Sequence, residues 1–281
     1  MRVFISIDME GVAGVATLDQ ILRGGSGYPR AQELMTAEAN AAIRGASAGG
    51  ATDILVNDSH GTMDNLLADR LDRRARLLLG APKASCMAQG VRVGDACAVF
   101  IGYHAAAGTT GVLAHSFSVG FTEVRLNGVP VSEAEVNGVY VGSRGVPVAA
   151  LSGDDHICKV ARNAFPGVAA IEVKTSVSFA AADALAPAEA CERIEEAVAA
   201  AVAGSAELPR PVTPERLALE VDFATPLAAD LAGGVPGSRR TGGRTLARDA
   251  ADVDELMSTV MAWYHLGGLA AQQIAAITTR R

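Results

Sequence analysis

The hydrophobic pattern changes period several times along the chain. Residues 2–11, R-V-F-I-S-I-D-M-E-G, open with Val3, Phe4, Ile5 and Ile7, broken only by Ser6. A short run of this kind predicts a strand buried on both faces. Over residues 31–47 the period becomes helical, with Leu34, Met35, Ala39, Ala42, Ile43 and Ala46 on one face. Gly49-Gly50 then offers a helix C-terminus the residues it favours. Residues 53–57, D-I-L-V-N, read as a second short strand. Strand, helix, strand in this order predicts a parallel pair with a right-handed crossover.

Further on, residues 76–79 and 96–103 read as strands, the second fully apolar up to Tyr103. A short helical or irregular piece is expected near 66–71. Residues 117–131 alternate and contain Asn127-Gly128, a hairpin signal. Ser132 and Glu135 have capping-box spacing, which predicts a helix from there to about 143. Strands are expected at 146–151 and 168–173, with a helix over 155–164 between them. Residues 187–203 form an alanine-rich helical pattern with Glu192, Glu195 and Glu196 outward. Residues 207–214 carry three prolines and read as a linker. Beyond it come a strand at 217–223, a Gly- and Arg-rich loop at 229–245, and a helix at 253–275 interrupted at Gly267-Gly268. Residues 11–29 read as a long loop, serving as a lid or as a contact to another subunit.

These elements predict a three-layer α/β/α fold around a mainly parallel sheet, with a C-terminal α/β portion packed on it. Residues 1–206 are expected to form the catalytic α/β domain. Residues 207–281 are expected to be a C-terminal portion without independence.

Composition narrows the function. The 281 residues are 49% apolar, so a sizeable core is expected. A net charge of −7 argues against a nucleic-acid partner. No stretch of 18 apolar residues is free of charges and glycines, so no membrane span is expected. Cys86, Cys97, Cys158 and Cys191 lack metal-knuckle spacing. They read as thiols in a reducing compartment, and with no signal-peptide pattern the expected location is cytoplasmic.

The chemistry lies at strand ends. Asp8 and Glu10 are two apart, so on extended chain they share a face. Two carboxylates held together call for a cation, although a solvated strand end accounts for the same pair. His60 and His104 also follow predicted strands, and His115 closes a loop. In parallel sheets that edge binds ligands. Mixed carboxylate and imidazole groups suit zinc or a similar divalent ion. They are too many for one tetrahedral ion and point to two. His156 and His265 lie in predicted helices and read as ordinary polar residues. Glu133 lies in a first helical turn, where a carboxylate also serves the helix dipole. A G-x-S-x-G match, Gly45 to Gly49, ends a predicted helix and reads as chance rather than a nucleophile elbow.

Six segments then add up in order: S-I-D-M-E-G at 6–11, M-T-A-E-A-N at 35–40, L-V-N-D-S-H at 55–60, G-Y-H-A at 102–105, H-S at 115–116 and G-D-D at 153–155. Together they resemble the D-aminopeptidase family of DppA, through about the first 175 residues and more weakly beyond. The resemblance implies a dinuclear zinc site held by Asp8, Glu10, His60, His104 and Glu133, with His115 as the catalytic histidine. It also implies hydrolysis of short peptides with N-terminal D-amino acids, D-Ala-containing ones among them. Its further implication is a ring-shaped homo-oligomer, for which a decamer is one size. The alternatives are a dinuclear-metal phosphoesterase and a peptide-binding protein without turnover.

Overall fold

The computed structural model describes residues 1–278. Seven strands make the main sheet: β1 (Arg2–Ile7), β2 (Asp53–Asp58), β3 (Ala75–Leu78), β4 (Cys97–Tyr103), β7 (Val148–Asp154), β8 (Ala169–Ser178) and β9 (Ala181–Ala184). Their order is β3-β2-β1-β4-β7-β8-β9, and every neighbouring pair is parallel except β8 with β9. Alternation along β1 divides the interior. Val3, Ile5 and Ile7 enter one core and Phe4 the other, because successive side chains leave a strand on opposite faces.

The first core is closed by α2 (Tyr28–Ala48) and α5 (Pro187–Ala203). The G-x-S-x-G stretch lies at their crossing. A Cβ at Gly45 would stand 2.4 Å from Glu195 O, and one at Gly49 would stand 2.7 Å from Ala199 O. Those glycines therefore serve helix packing. On the other face lie α3 (Glu133–Ser143) and α4 (Asp155–Ala164). Beyond them is a second sheet made of β5 (Phe121–Leu126), β6 (Val129–Pro130), β10 (Leu217–Phe223), β11 (Arg239–Arg240) and β12 (Thr245–Ala250), in the order β11-β12-β10-β5-β6. Its hairpin turns at Asn127, with φ 53, and Gly128, with φ 81, as the Asn-Gly signal requires. The pairing of β5 with β10 joins residues on either side of the proline-rich segment.

Three expectations need correction. Residues 11–29 include a short helix, α1 (Leu18–Ile21), whose Thr17 and Gln20 form a capping box. Residues 229–245 are not all loop. The helix α6 (Pro226–Ala232), capped by Thr225, runs into them, and β11 follows. Gly and Arg content hid both. The last helix, α7 (Val253–Thr278), runs through Gly267-Gly268 without a break. A Cβ at Gly267 would stand 3.1 Å from the Phe223 ring, so close packing on β10 accounts for that glycine.

Candidate metal centre

The sheet changes direction of growth between β1 and β4, with β2 on one side of β1 and β7 beyond β4. The carboxyl ends of strands at such a switch point diverge into a crevice. Asp8 and Glu10 leave β1 there and His104 leaves β4. The two strand ends are drawn together by hydrogen bonds from Asp8 N–H to Ile101 O (2.8 Å) and from Gly11 N–H to Gly102 O (2.7 Å). Only glycine permits this approach. A Cβ at Gly11 would stand 2.0 Å from Tyr103 O, and Gly102, at φ +68, would set one 2.2 Å from Asp8 O.

His60 arrives from the end of β2. Ser59 N–H donates to Ile7 O at 2.8 Å, and Asn65 Nδ2 donates to both His60 O (2.6 Å) and Asp58 Oδ1 (2.8 Å). The loop after β4 folds back so that His115 N–H meets Ala105 O at 3.2 Å. Glu133 is the first residue of α3, whose N-cap Ser132 accepts from Glu135 N–H while Glu135 returns the bond. The capping box thus occupies Glu135 and leaves Glu133 to face inward.

All six residues singled out in the sequence meet in this crevice. His60 Nδ1 is 2.9 Å from Glu10 Oε2 and 3.3 Å from Asp8 Oδ1. His104 Nε2 is 3.4 Å from Asp8 Oδ2 and 3.6 Å from Glu133 Oε2. His115 Nε2 is 3.9 Å from Glu133 Oε1. Asp8, Glu10, His60, His104 and Glu133 are all buried, and His115 is partly open to a cavity. The donor atoms of Asp8, Glu10 and His104 lie within 4.8 Å of one another, as do those of His104, His115 and Glu133.

Each imidazole has its remote nitrogen tied to a backbone carbonyl: His60 Nε2 to Ile21 O (2.9 Å), His104 Nδ1 to Ala105 O (3.0 Å) and His115 Nδ1 to Leu113 O (2.9 Å). A carbonyl only accepts, so these nitrogens carry a proton, and the opposite ones, which face carboxylates, would present lone pairs to an ion once it displaces their protons. His104 Nε2 is buried without a hydrogen-bond partner among the described residues. A buried unpaired nitrogen among carboxylates is what a metal ligand looks like before its ion is considered, so the donor set fits zinc.

The charges are tightly interdependent. Burial alone would depress His60, but Glu10 and Asp8 outweigh it and pull the imidazole well above its ordinary range. Burial is likewise overcome at His104 by Glu133 and Asp8. Burial would raise Glu10 and Glu133, yet the facing histidines, His60 and His104 first among them, hold both low. Asp8 goes the other way, raised by burial and by the neighbouring Glu10. This is a site built around positive charge, which among the described residues in contact with these carboxylates comes from protonated histidines.

A cavity of about 470 Å³ opens over these residues. Met261, Tyr264 and His265 of α7 form part of its wall. Reading His265 as an ordinary helical residue did not anticipate that. Its only local signal was an aromatic and imidazole pair, Tyr264-His265, midway along the helix. His156 is half-exposed on α4, 3.4 Å from Thr110 Oγ1, and stands outside the site.

Comparison with known proteins agrees with this geometry. The model of the family described as D-aminopeptidase matches residues 1–262. A D-aminopeptidase of Bacillus subtilis (strain 168) is 34% identical over 262 residues, covering 93% of this chain and 96% of the relative. Among solved structures, the Zn-dependent D-aminopeptidase DppA from Bacillus subtilis, described as a self-compartmentalizing protease, superposes with a TM-score of 0.92 at 34% identity. That match covers 95% of this chain and 98% of the other.

Proposed function

The chain belongs to the D-aminopeptidase family, and from that premise we propose that it removes N-terminal D-amino acids from short peptides, D-Ala-containing ones among them, at a dinuclear zinc centre. The observation that carries this reading is the convergence of His60 Nδ1 and His104 Nε2, each with its other nitrogen anchored on a backbone carbonyl, upon three buried carboxylates. Asp8 stands between the two imidazoles, one oxygen near each, which supports it as the bridging ligand. Glu10, His60, His104 and Glu133 would hold the two ions together with it.

Bound zinc would supply Lewis acidity to the scissile carbonyl and lower the pKa of an attacking water. The chain's own part begins with His115. Its Nδ1–H is fixed on Leu113 O, so Nε2 is free to take a proton or to attack, and it opens on the cavity. Glu133 Oε1 is engaged by Phe117 N–H, which leaves Oε2 for an ion. Burial by Met87, Cys86 and Leu113 keeps the floor of the cavity poor in water, where charge interactions strengthen.

Residues 207–278 serve the same unit, since α7 walls the cavity while every proposed ligand lies before residue 207. Apolar side chains stand exposed around the cavity: Leu18, Leu22, Val119 and Phe179. They support a ring-shaped homo-oligomer, a decamer being one such size, that covers this rim. Light scattering after size exclusion gives the subunit number. No described helix is long and apolar enough to cross a membrane, and the four cysteines are unpaired, which suits a cytoplasmic setting.

The test is a panel of D-Ala-D-Ala, L-Ala-L-Ala and nitrophenyl phosphate with zinc-loaded protein. Release of D-Ala with little action on the other two is expected. Phosphate release without peptide cleavage would replace this reading with a phosphoesterase, and tight D-Ala-D-Ala binding without products would make the protein a binder.

A further inference from the structure

Lys174 is a lysine buried in β8, 3% exposed, far in sequence from every proposed ligand. The register between β7 and β8 shifts at Gly153/Asp154, and the consecutive Val173 and Lys174 are both buried there. Its ammonium donates to three backbone carbonyls: Glu10 O, Val12 O (3.0 Å) and Val15 O (2.6 Å). An ammonium has three N–H groups, so all its donors are spent on one short stretch of loop. That loop starts with Glu10. Glu38 of α2, also buried, accepts Ala13 N–H at 2.8 Å. Residues 10–15 are therefore gripped by a cation on their carbonyls and a carboxyl on the amide between them.

We propose that Lys174 is a positioning residue for the metal centre, an internal cation that fixes the backbone of residues 10–15 and thereby holds Glu10 in place to bind zinc. This rests on the reading of Glu10 as a zinc ligand. A strand residue whose only purpose is to satisfy the sheet needs no charge. Three converging carbonyls, by contrast, form a cation site that the chain fills with its own side chain. Supporting groups of metal ligands commonly matter to affinity by roughly 10- to 100-fold.

The experiment compares zinc affinity, by competition with a chromophoric chelator, in the parent chain, Lys174→Met and Lys174→Ala, with melting temperatures recorded alongside. Zinc binding at least about tenfold weaker is expected in both variants. In Lys174→Ala, n-propylammonium should restore it, because the small cation fits the vacated space. It should not do so in Lys174→Met, where the space is filled. Lys174→Gln, whose amide still donates two N–H groups, covers the case in which Lys174→Met does not fold, and it too should bind zinc more weakly. A lower melting temperature with parental zinc affinity would overturn the proposal and leave Lys174 a residue of fold stability alone. Failure of all three variants to fold in zinc-saturated buffer would do the same. A parent chain that binds no zinc would instead sink the underlying assignment of Glu10.

Discussion

His104 and His115 stack face to face, with ring centroids 4.2 Å apart and planes 8° from parallel. Both give Nδ1–H to a backbone carbonyl, and both turn Nε2 toward Glu133. What separates them is the carboxylate oxygen each meets. His104 faces Oε2, and His115 faces Oε1, which already accepts from Phe117 N–H. The His104 side chain is 1% exposed and that of His115 is 20% exposed.

The two should therefore fail differently. His104→Ala is expected to lose bound zinc together with activity, since no neighbouring group replaces its Nε2. His115→Ala should keep its zinc and nearly its full melting temperature, and lose roughly a hundredfold or more in kcat. Elemental analysis, a melt and a peptide assay on one preparation distinguish these outcomes. Zinc lost from His115→Ala would make it a ligand.

Glu133 and Glu135 are two positions apart on α3 and do unrelated work. Glu135→Gln keeps an acceptor for the capping box and should cost about 1 kcal/mol or less, with zinc retained. Glu133→Gln should release zinc, because an amide is a poor substitute for the carboxylate beside His104. If Glu135→Gln sheds metal and Glu133→Gln does not, the assignment of the two carboxylates is reversed.

The convergence of the proposed ligands was legible because each residue sits next to an element the pattern defines well. Asp8 follows a continuous apolar strand, His104 follows another, and Glu133 follows a capping signal. Periodicity places such residues at strand and helix ends, and the parallel order puts those ends on one edge. The Lys174 grip was not legible. It depends on a register shift between β7 and β8 that moves a polar residue inward, and no local period reports a shift. A charged residue after the apolar Ile171 and Val173 was the available hint. The α7 wall was hidden for a different reason. Which face of a terminal helix meets a distant cavity follows from tertiary packing alone.

Protonation gives a third test. In zinc-free protein the raised His60 and His104 stabilise the fold fully below their unfolded value of 6.5, and that stability is lost as pH rises through their folded values. Asp8, raised from 3.8, adds to the loss as pH rises. Glu10 and Glu133 act oppositely. Their contribution is present above 4.5 and disappears as pH falls through their depressed folded values. Zinc displaces the protons from both histidines, so its affinity should climb with pH. Chelated protein should thus lose melting temperature from about pH 6.5 upward while zinc-loaded protein does not. Parallel melting curves for the two forms across that range would contradict the proposed ligands.

The contact between Gly11 and Gly102 yields a structural prediction with a functional readout. Gly11→Ala sets a methyl group against Tyr103 O and Gly102 O, backbone atoms that cannot rotate away. Overpacking of this kind should cost about 3 kcal/mol or more, seen as a lower melting temperature. It should also part Asp8 and Glu10 from His104, so zinc affinity should fall together with stability. A stable Gly11→Ala protein with parental zinc content would mean that the β1 and β4 ends need not touch for the site to form.

The cavity over the proposed ligands is larger and more apolar than a dipeptide of alanine requires. At about 470 Å³ it is walled by Leu22, Met63, Phe117, Phe179, Met261 and Tyr264 among others. A D-Ala methyl leaves most of those surfaces wet. Each additional buried methylene contributes roughly 0.8 kcal/mol, a factor of about four in binding. Replacing one D-Ala of D-Ala-D-Ala by D-Leu, at whichever position faces these side chains, should therefore raise kcat/KM by roughly tenfold or more. D-Leu-D-Ala and D-Ala-D-Leu assayed side by side identify the position. The gain should appear in KM rather than kcat, because contacts remote from the scissile bond hold substrate and transition state alike. If D-Ala-D-Ala outpaces both, the apolar walls face something other than the substrate's side chains, and the exposed rim at Val119 and Phe179 points to a neighbouring subunit as what fills that space.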